Sequence, residues 1–411
     1  MIKLSNLRLE LGYKFHFTEA VQARIVCDME ADFTNVKEFF FCVDEENADC
    51  LTDDVYDAFL IAALYPAMCY GEDIHIDGKV TKRTYHNLKQ YVQGMVLAYE
   101  PNFHEIDIKV EGFSHAHKDE NLHVGTGFSG GVDSFSTLVD NFFKTNDSDY
   151  KIDTLFFFNV GQYGYGYDNP ANYERANNRY SITSNLAKEL NMNSIMMNTN
   201  MFSFYKPRWE FDAGVLCRLS SVFVFQKVLK RYYISNSTTY IDLAKYDFYH
   251  NRSDFATIAD PIIMPLLSPD GMEVICDGAQ HDRTAKVQNI ANIPVVQQHL
   301  NVCIYSSDDS YVSSKNCGRC DKCLRTMMSL NSMAILDKFS DVFNPDDWKK
   351  FGFSYVCKQV YLYNKDEFAF DNVNFARKMG KKLPNKFIAF CVVKYDWLCH
   401  LPQRIIRKFF S

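Results

Sequence analysis

At 411 residues, with 47% hydrophobic and 23% charged residues, the chain is long enough for two or three domains with sizeable cores. Small disulfide-stapled scaffolds are excluded, and 18 Gly with 11 Pro are too few for a fibrous or largely disordered chain. The net charge of −7 argues against wrapping long nucleic acid, but it is uneven: residues 372–411 carry nine Lys/Arg against Asp396 alone, a local +8 that leaves −15 elsewhere. That basic end leaves open a local anionic partner, beside the plainer reading of a solvated face.

In chain order, Ile2–Leu11, Ala20–Met29 and Val36–Val43 are expected as strands, the last through Phe39-Phe40-Phe41. A helix is expected over Asp53–Met68 with Thr52 as its N-cap. A short strand and turn at Ile74–Gly78, a helix over Thr81–Tyr99 and a strand over Glu105–Val110 complete an N-terminal α+β domain of residues 1–118. Phe113–Glu120 reads as a linker. From there the pattern becomes strand–loop–helix. Strands are expected at 122–127, 154–160, 194–199 and 232–235, and helices at 135–143, 173–190 and 213–229. That alternation predicts an α/β fold with a doubly wound parallel sheet, whose ligands sit outside the carboxyl ends of the strands. The remainder, 336–411, reads as a helical basic region ending in the amphipathic stretch Arg404–Phe410.

Two motifs carry chemistry. Ser129-Gly130-Gly131-Val132-Asp133-Ser134 follows a predicted strand and opens a predicted helix. Paired glycines allow positive φ and close ligand approach, and a helix N-terminus favours an anion. Ser129 and Ser134 add hydroxyls, while Asp133 beside a phosphate makes best sense with Mg²⁺. The turn lacks the Gly-Lys-Ser/Thr ending of a Walker A loop, and a simple glycine turn before a helix is the alternative. The second motif is Cys317-Gly318-Arg319-Cys320-Asp321-Lys322-Cys323, with Cys303 fourteen positions upstream. Four thiolates at such spacing suit tetrahedral Zn²⁺ with Zn–S of about 2.3 Å, against the rivals of an iron–sulfur cluster or a redox pair. Arg319, Lys322 and Arg325 would offset the negative charge of a zinc tetrathiolate. The other cysteines are scattered singly, no apolar run is long enough to span a membrane and the start resembles no signal peptide, so the expected compartment is a reducing cytoplasm.

The Ser-Gly-Gly-Val-Asp-Ser turn resembles the PP-loop of the ATP pyrophosphatase superfamily, over roughly residues 120–330, which implies a PP-loop domain of residues 119–335. The cysteine module at 303–323, C-terminal to the turn, is similar to that of the 7-cyano-7-deazaguanine synthase family. The resemblance implies an adenine nucleotide alpha-hydrolase (HUP-like) fold, with ATP and Mg²⁺ at Ser129, Gly130, Gly131, Val132, Asp133 and Ser134. It further implies zinc on Cys303, Cys317, Cys320 and Cys323, and adenylation of a carboxylate, 7-carboxy-7-deazaguanine, with release of pyrophosphate. Asp260–Leu267 resembles the family's strand-and-turn segment ahead of the cysteines. A family lysine after it is replaced here by Ser268, which leaves Arg283 and Lys286 to meet the pyrophosphate charge; an ordinary helix-surface pair is the alternative. Phe158, Tyr163, Tyr165 and Trp209 are candidates for stacking on a base, with core packing favoured for Phe158.

Residue 2 is Ile, not the Cys of an N-terminal glutaminase, so nitrogen is expected as ammonia or an amine. Similar proteins of antiviral systems imply a protein amine as acceptor, and a second copy of the chain stays among the candidate partners. Two further readings are a PP-loop amidotransferase of surface polysaccharide assembly and a non-catalytic nucleotide-binding scaffold. A tRNA thiolase is disfavoured, because no cysteine lies between Cys69 and Cys217.

Overall fold

The computed structural model describes residues 1–161, 168–205, 213–245, 260–303 and 316–399. Tyr163, Tyr165, Trp209 and the stretch Arg404–Phe410 lie outside the described residues. The chain divides into two compact units: Met1–Ser129 with Thr137–Gln280, and Gly130–Ser136 with His281 onward. No helix among the described residues is long and apolar enough to cross a membrane.

The first unit is built on one ten-stranded sheet, in the order β10-β9-β6-β7-β8-β3-β2-β1-β4-β5. Its strands are β1 (Ile2–Tyr13), β2 (Gln22–Glu30), β3 (Glu38–Asp44), β4 (Ile74–Val80), β5 (Ile108–Phe113), β6 (His123–Gly127), β7 (Thr154–Asn159), β8 (Asn193–Thr199), β9 (Leu229–Ser235) and β10 (Glu273–Asp277). Strands β6 to β10 are mutually parallel, as is the β1-β4-β5 trio, while β2 and β3 run antiparallel to their neighbours. The helices of this unit are α1 (Asp57–Tyr70), α2 (Lys82–Asn87), α3 (Gln93–Tyr99), then α5 (Pro170–Glu189), α6 (Gly214–Phe223), α7 (Tyr240–Lys245) and α8 (Asp260–Leu266). Helix α4 (Val132–Leu138) follows the glycine turn in sequence. The α/β, doubly wound character expected from the alternating pattern is present.

The sheet crosses the domain boundary expected at 118/119. Strand β3 pairs antiparallel with β8, Phe41 opposite Thr199 and Val43 opposite Met197. The joint is reinforced by Asn200, whose Oδ1 accepts from the Phe40 N–H at 2.9 Å and whose Nδ2 donates to the Glu38 carbonyl at 2.7 Å. Both faces of β3 are covered, which explains its unbroken apolar run. Phe39 and Phe41 pack on Phe59 of α1, and Phe40 packs with Phe15 and Cys42. Burying each such ring contributes about 1.5–3 kcal/mol.

The expected linker is stitched down. Lys118 donates through Nζ to the Leu229 carbonyl at 3.1 Å and to that of Gln226, and burial pushes its ammonium down to about 8. Thr52 is not a helix cap: α1 begins at Asp57, and the Thr52 hydroxyl accepts instead from the Lys227 N–H at 3.1 Å. The helix expected over Thr81–Tyr99 is interrupted by a π turn at Leu88–Val92. Asp260–Leu267, expected as a strand and turn, begins as helix α8; Asp-Pro at its head presets the first turn, because proline lacks only an N–H that would be unpaired there.

The second unit holds helices α9 (Arg283–Ile290), α10 (Pro294–His299), α11 (Asp321–Ser332), α12 (Pro345–Leu362), α13 (Glu367–Lys378) and α14 (Lys386–Cys399); α11 to α14 supply two small apolar clusters, one of Leu324, Met328, Tyr355 and Ala376, the other of Cys357, Val360, Val373 and Ala389. The helical character expected for 336–411 holds through residue 399.

Candidate phosphate-binding turn and cysteine module

Strand order decides which loop matters. From β6 the chain adds β7 and β8 on one side, then returns to add β9 and β10 on the other. The order therefore reverses between β6 and β9, the switch point where doubly wound sheets open a crevice at their carboxyl ends. The chain leaves β6 at Gly127 and enters Ser129–Ser134 two residues later.

Gly130 sits at φ +74°, where an L side chain is strained. The turn's carbonyls are held by protein donors. In the first unit, α5 supplies Thr183 Oγ1 to the Phe128 carbonyl at 3.1 Å and Arg179 Nη2 to that of Ser129 at 2.7 Å. In the second unit, the Asn301 N–H donates to the Gly130 carbonyl at 2.7 Å. The Gly131 carbonyl accepts from the Phe135 N–H at 3.0 Å and from the Ser134 hydroxyl at 3.1 Å. With Phe135 making the first helical bond, the N–H groups of Val132 and Asp133 precede the ladder of α4. Ser134, expected to aim its hydroxyl proton at a ligand, directs it to the turn's own Gly131 carbonyl.

Asp133 is clamped by two cations from α9. Lys286 Nζ lies 3.1 Å from its Oδ1, and Arg283 pairs with its Oδ2. The i,i+3 spacing puts both on one helix face, and Asp282 starts that helix by accepting from the Ala285 N–H at 2.8 Å. The helix-surface alternative for the pair is overturned for Lys286, whose side chain is 1% exposed. Burial alone would raise the Asp133 carboxyl, but the charges of Arg283 and then Lys286 outweigh it and hold the group below the usual carboxylate range. The cluster carries one net positive charge. Arg283 Nε is buried with no hydrogen-bond partner among the described residues, an orphaned donor beside the turn's carboxylate. Both Asp133 oxygens are occupied by cations, so this carboxylate does not fit a Mg²⁺ ligand as arranged.

The four module cysteines converge. The Sγ atoms of Cys303, Cys317, Cys320 and Cys323 all lie within 4.8 Å of one another, close enough to hold one metal ion, and an all-thiolate set is compatible with zinc. Backbone N–H groups of Cys320 and Cys323 donate to the sulfurs of Cys317 and Cys320 at 3.4 and 3.5 Å, which stabilises thiolate charge. Gly318 opens the turn at φ +66°, and a Cβ there would meet Asp347 at 2.2 Å. In the metal-free group, the hydrogen bond to Cys320, then burial and the neighbouring thiols, push Cys323 far upward. A bound cation would reverse that.

Sequence reading missed Asn316, which brings Cys303 to its partners. The buried Asn316 Oδ1 accepts from the Val302 and Cys303 N–H groups at 2.7 and 3.1 Å. Its Nδ2 donates to the carbonyls of Leu300 and Val342 at 2.9 and 3.0 Å. Every polar group of that amide faces backbone, so one side chain ties the segment of Cys303 to the residue that precedes Cys317. Arg179 and Thr183 were missed too, since nothing local marks them. Of the expected charge-offsetting residues, Arg325 lies over the Phe368 ring at 3.5 Å. Phe158 stacks on Tyr232 and Phe225 as core packing.

Comparison with protein-family models, curated proteins and solved structures gave no match.

Proposed function

We propose that the chain is an ATP-dependent carbon–nitrogen ligase of the PP-loop type, with an adenine nucleotide alpha-hydrolase fold. Its substrate would be a carboxylic acid, 7-carboxy-7-deazaguanine by resemblance of its motifs. One observation carries the reading: a glycine turn whose aspartate is clamped by a buried lysine and by an arginine with an orphaned donor. The strand order 3-2-1-4-5 of the parallel segment, with the turn after its first strand, supports it further.

The chemistry follows from charge. A carboxylate oxygen attacks the α-phosphorus of ATP, the α–β bridge bond breaks, and pyrophosphate leaves with the electron pair. N–H groups at the start of α4 would hold phosphate oxygens, and Arg283 and Lys286 would meet the charge that grows on the leaving group. The acyl–adenylate anhydride then accepts ammonia or an amine at its acyl carbon. AMP departs, the nitrogen loses a proton, and an amide results. Zinc on the four cysteines would hold the module together without entering the reaction; a site closed by four protein ligands leaves no position for substrate.

The test is incubation with ATP, Mg²⁺, 7-carboxy-7-deazaguanine and ammonium, read by mass spectrometry, with proteins co-expressed with the chain as a second set of acceptors. One AMP per amide formed, lost in Asp133→Ala, is expected. ATP that stays intact with every acid and acceptor overturns the proposal.

A further inference from the structure

We infer that a cavity among the helices of the second unit binds a compact apolar anion, such as a medium-chain carboxylate. The cavity measures about 420 Å³, inside the roughly 300–1,000 Å³ usual for small-molecule sites. Met328 of α11, Trp348 and Val356 of α12, Ala376 of α13 and Leu383 give it apolar walls. Lys381 and Lys382 also line it, and no acidic residue among the described residues does. Neither lysine has an ion-pair partner among the described residues, and the side-chain amide of Asn331, which also lines the space, has no hydrogen-bond partner among them.

Two features argue that this space is built rather than left over. Gly352 lies inside α12, where glycine is about 1 kcal/mol worse than alanine. A Cβ there would come within 2.7 Å of the Trp348 ring, so the residue is what lets the indole form one wall. Phe353, at 61% exposure, presents a large apolar ring at the same cavity.

Charge selects the occupant. Apolar walls beside two lysines that have no ion-pair partner among the described residues, and one amide, suit an apolar body carrying a carboxylate, sulfonate or similar head. The chain's own Arg404, Arg407 and Lys408 have the wrong sign for that position. The inference stands apart from the proposed ligase activity.

The test uses the full chain with Trp209→Phe and Trp397→Phe, so that Trp348 is its single indole. Decanoate is titrated against its emission, with decanol as the uncharged comparison, both below their aggregation limits. Saturable binding of decanoate, at least tenfold tighter than decanol, is expected. Lys381→Glu with Lys382→Glu, both at partly or fully exposed positions, should erase that tenfold preference while leaving decanol and far-ultraviolet circular dichroism unchanged. Ile388 of α14 also lines the cavity, and Ile388→Asp should weaken both ligands. Equal affinity for the two probes, a preference that survives the charge reversal, or a dimer by sedimentation that leaves Trp348 unresponsive overturns the inference.

Discussion

Two glycine-led turns can be set side by side. Gly130 and Gly318 both take positive φ, +74° and +66°, and each opens a segment that precedes a helix. Around Gly318 the functional atoms are supplied within seven residues, with Cys303 brought in by Asn316. Around Gly130 the local residues supply backbone geometry and one carboxylate, and the charge that governs the turn comes from Arg283 and Lys286, about 150 positions away. The cysteine turn therefore gathers four sulfurs close enough to hold a metal ion, whereas the glycine turn carries a cluster of net positive charge. Similar backbone devices thus carry different side-chain chemistry because of what the rest of the chain brings to them.

The largest effect should come from the cysteine turn. Stripping its metal with a strong chelator, or Cys320→Ser, should remove one zinc per chain by atomic emission and unfold the local helices, since binding energy at structural zinc sites, about 10–16 kcal/mol, is folding energy. A chain that contains no zinc when purified intact would break the comparison from that side.

Next comes the clamp at the glycine turn. Asp133→Ala leaves Lys286 buried and uncompensated, and should cost about 3–5 kcal/mol in urea unfolding. Lys286→Met with Asp133→Leu replaces the buried pair by apolar groups and should recover much of that stability while AMP formation stays absent. If the double variant turns over ATP, the clamp is structural only.

Asn316→Ala is expected to cost about 2–3 kcal/mol, because the Val302 and Cys303 N–H groups and the Leu300 carbonyl lose the bonds they make to the side-chain amide, while the Val342 carbonyl keeps the Asn316 N–H. Its zinc should remain bound but pass to a chelator faster than in the parent. Gly130→Ala should be milder, about 1–2 kcal/mol of backbone strain, whereas Gly318→Ala also drives a methyl into Asp347 and should be worse.

The smallest effect is on pH. The Asp133 carboxyl is depressed in the fold, so its contribution is present above the unfolded value of 3.8 and disappears as pH falls through the lower folded value. Asp133→Asn should flatten the acid limb of stability below about pH 4 and leave neutral stability changed mainly by the lost charge.

What was readable in the chain divides along the same line. The strands of the doubly wound segment were legible because each is a short apolar run between turn residues. Cys317, Cys320 and Cys323 were legible because their spacing alone brings sulfurs together, and Cys303 joined them by its place upstream. The single sheet across residue 118 was not: β3 joins β8 through pairing and an Asn200 clamp that leave no mark near either strand. Strand β10 is five residues, two of them acidic, too short to show periodicity. Lys286 carried no sign of burial, since its partner lies on a distant segment, and Asn316 is one asparagine among many until its four backbone contacts are seen.

Phosphorus NMR of ATP during incubation with the intact chain, Mg²⁺ and the deazaguanine acid follows the proposed α–β cleavage itself. Signals of pyrophosphate and AMP rising together, at matched rates and only when the acid is present, are the expected result. Signals of ADP and inorganic phosphate, or an unchanged ATP spectrum, would contradict it.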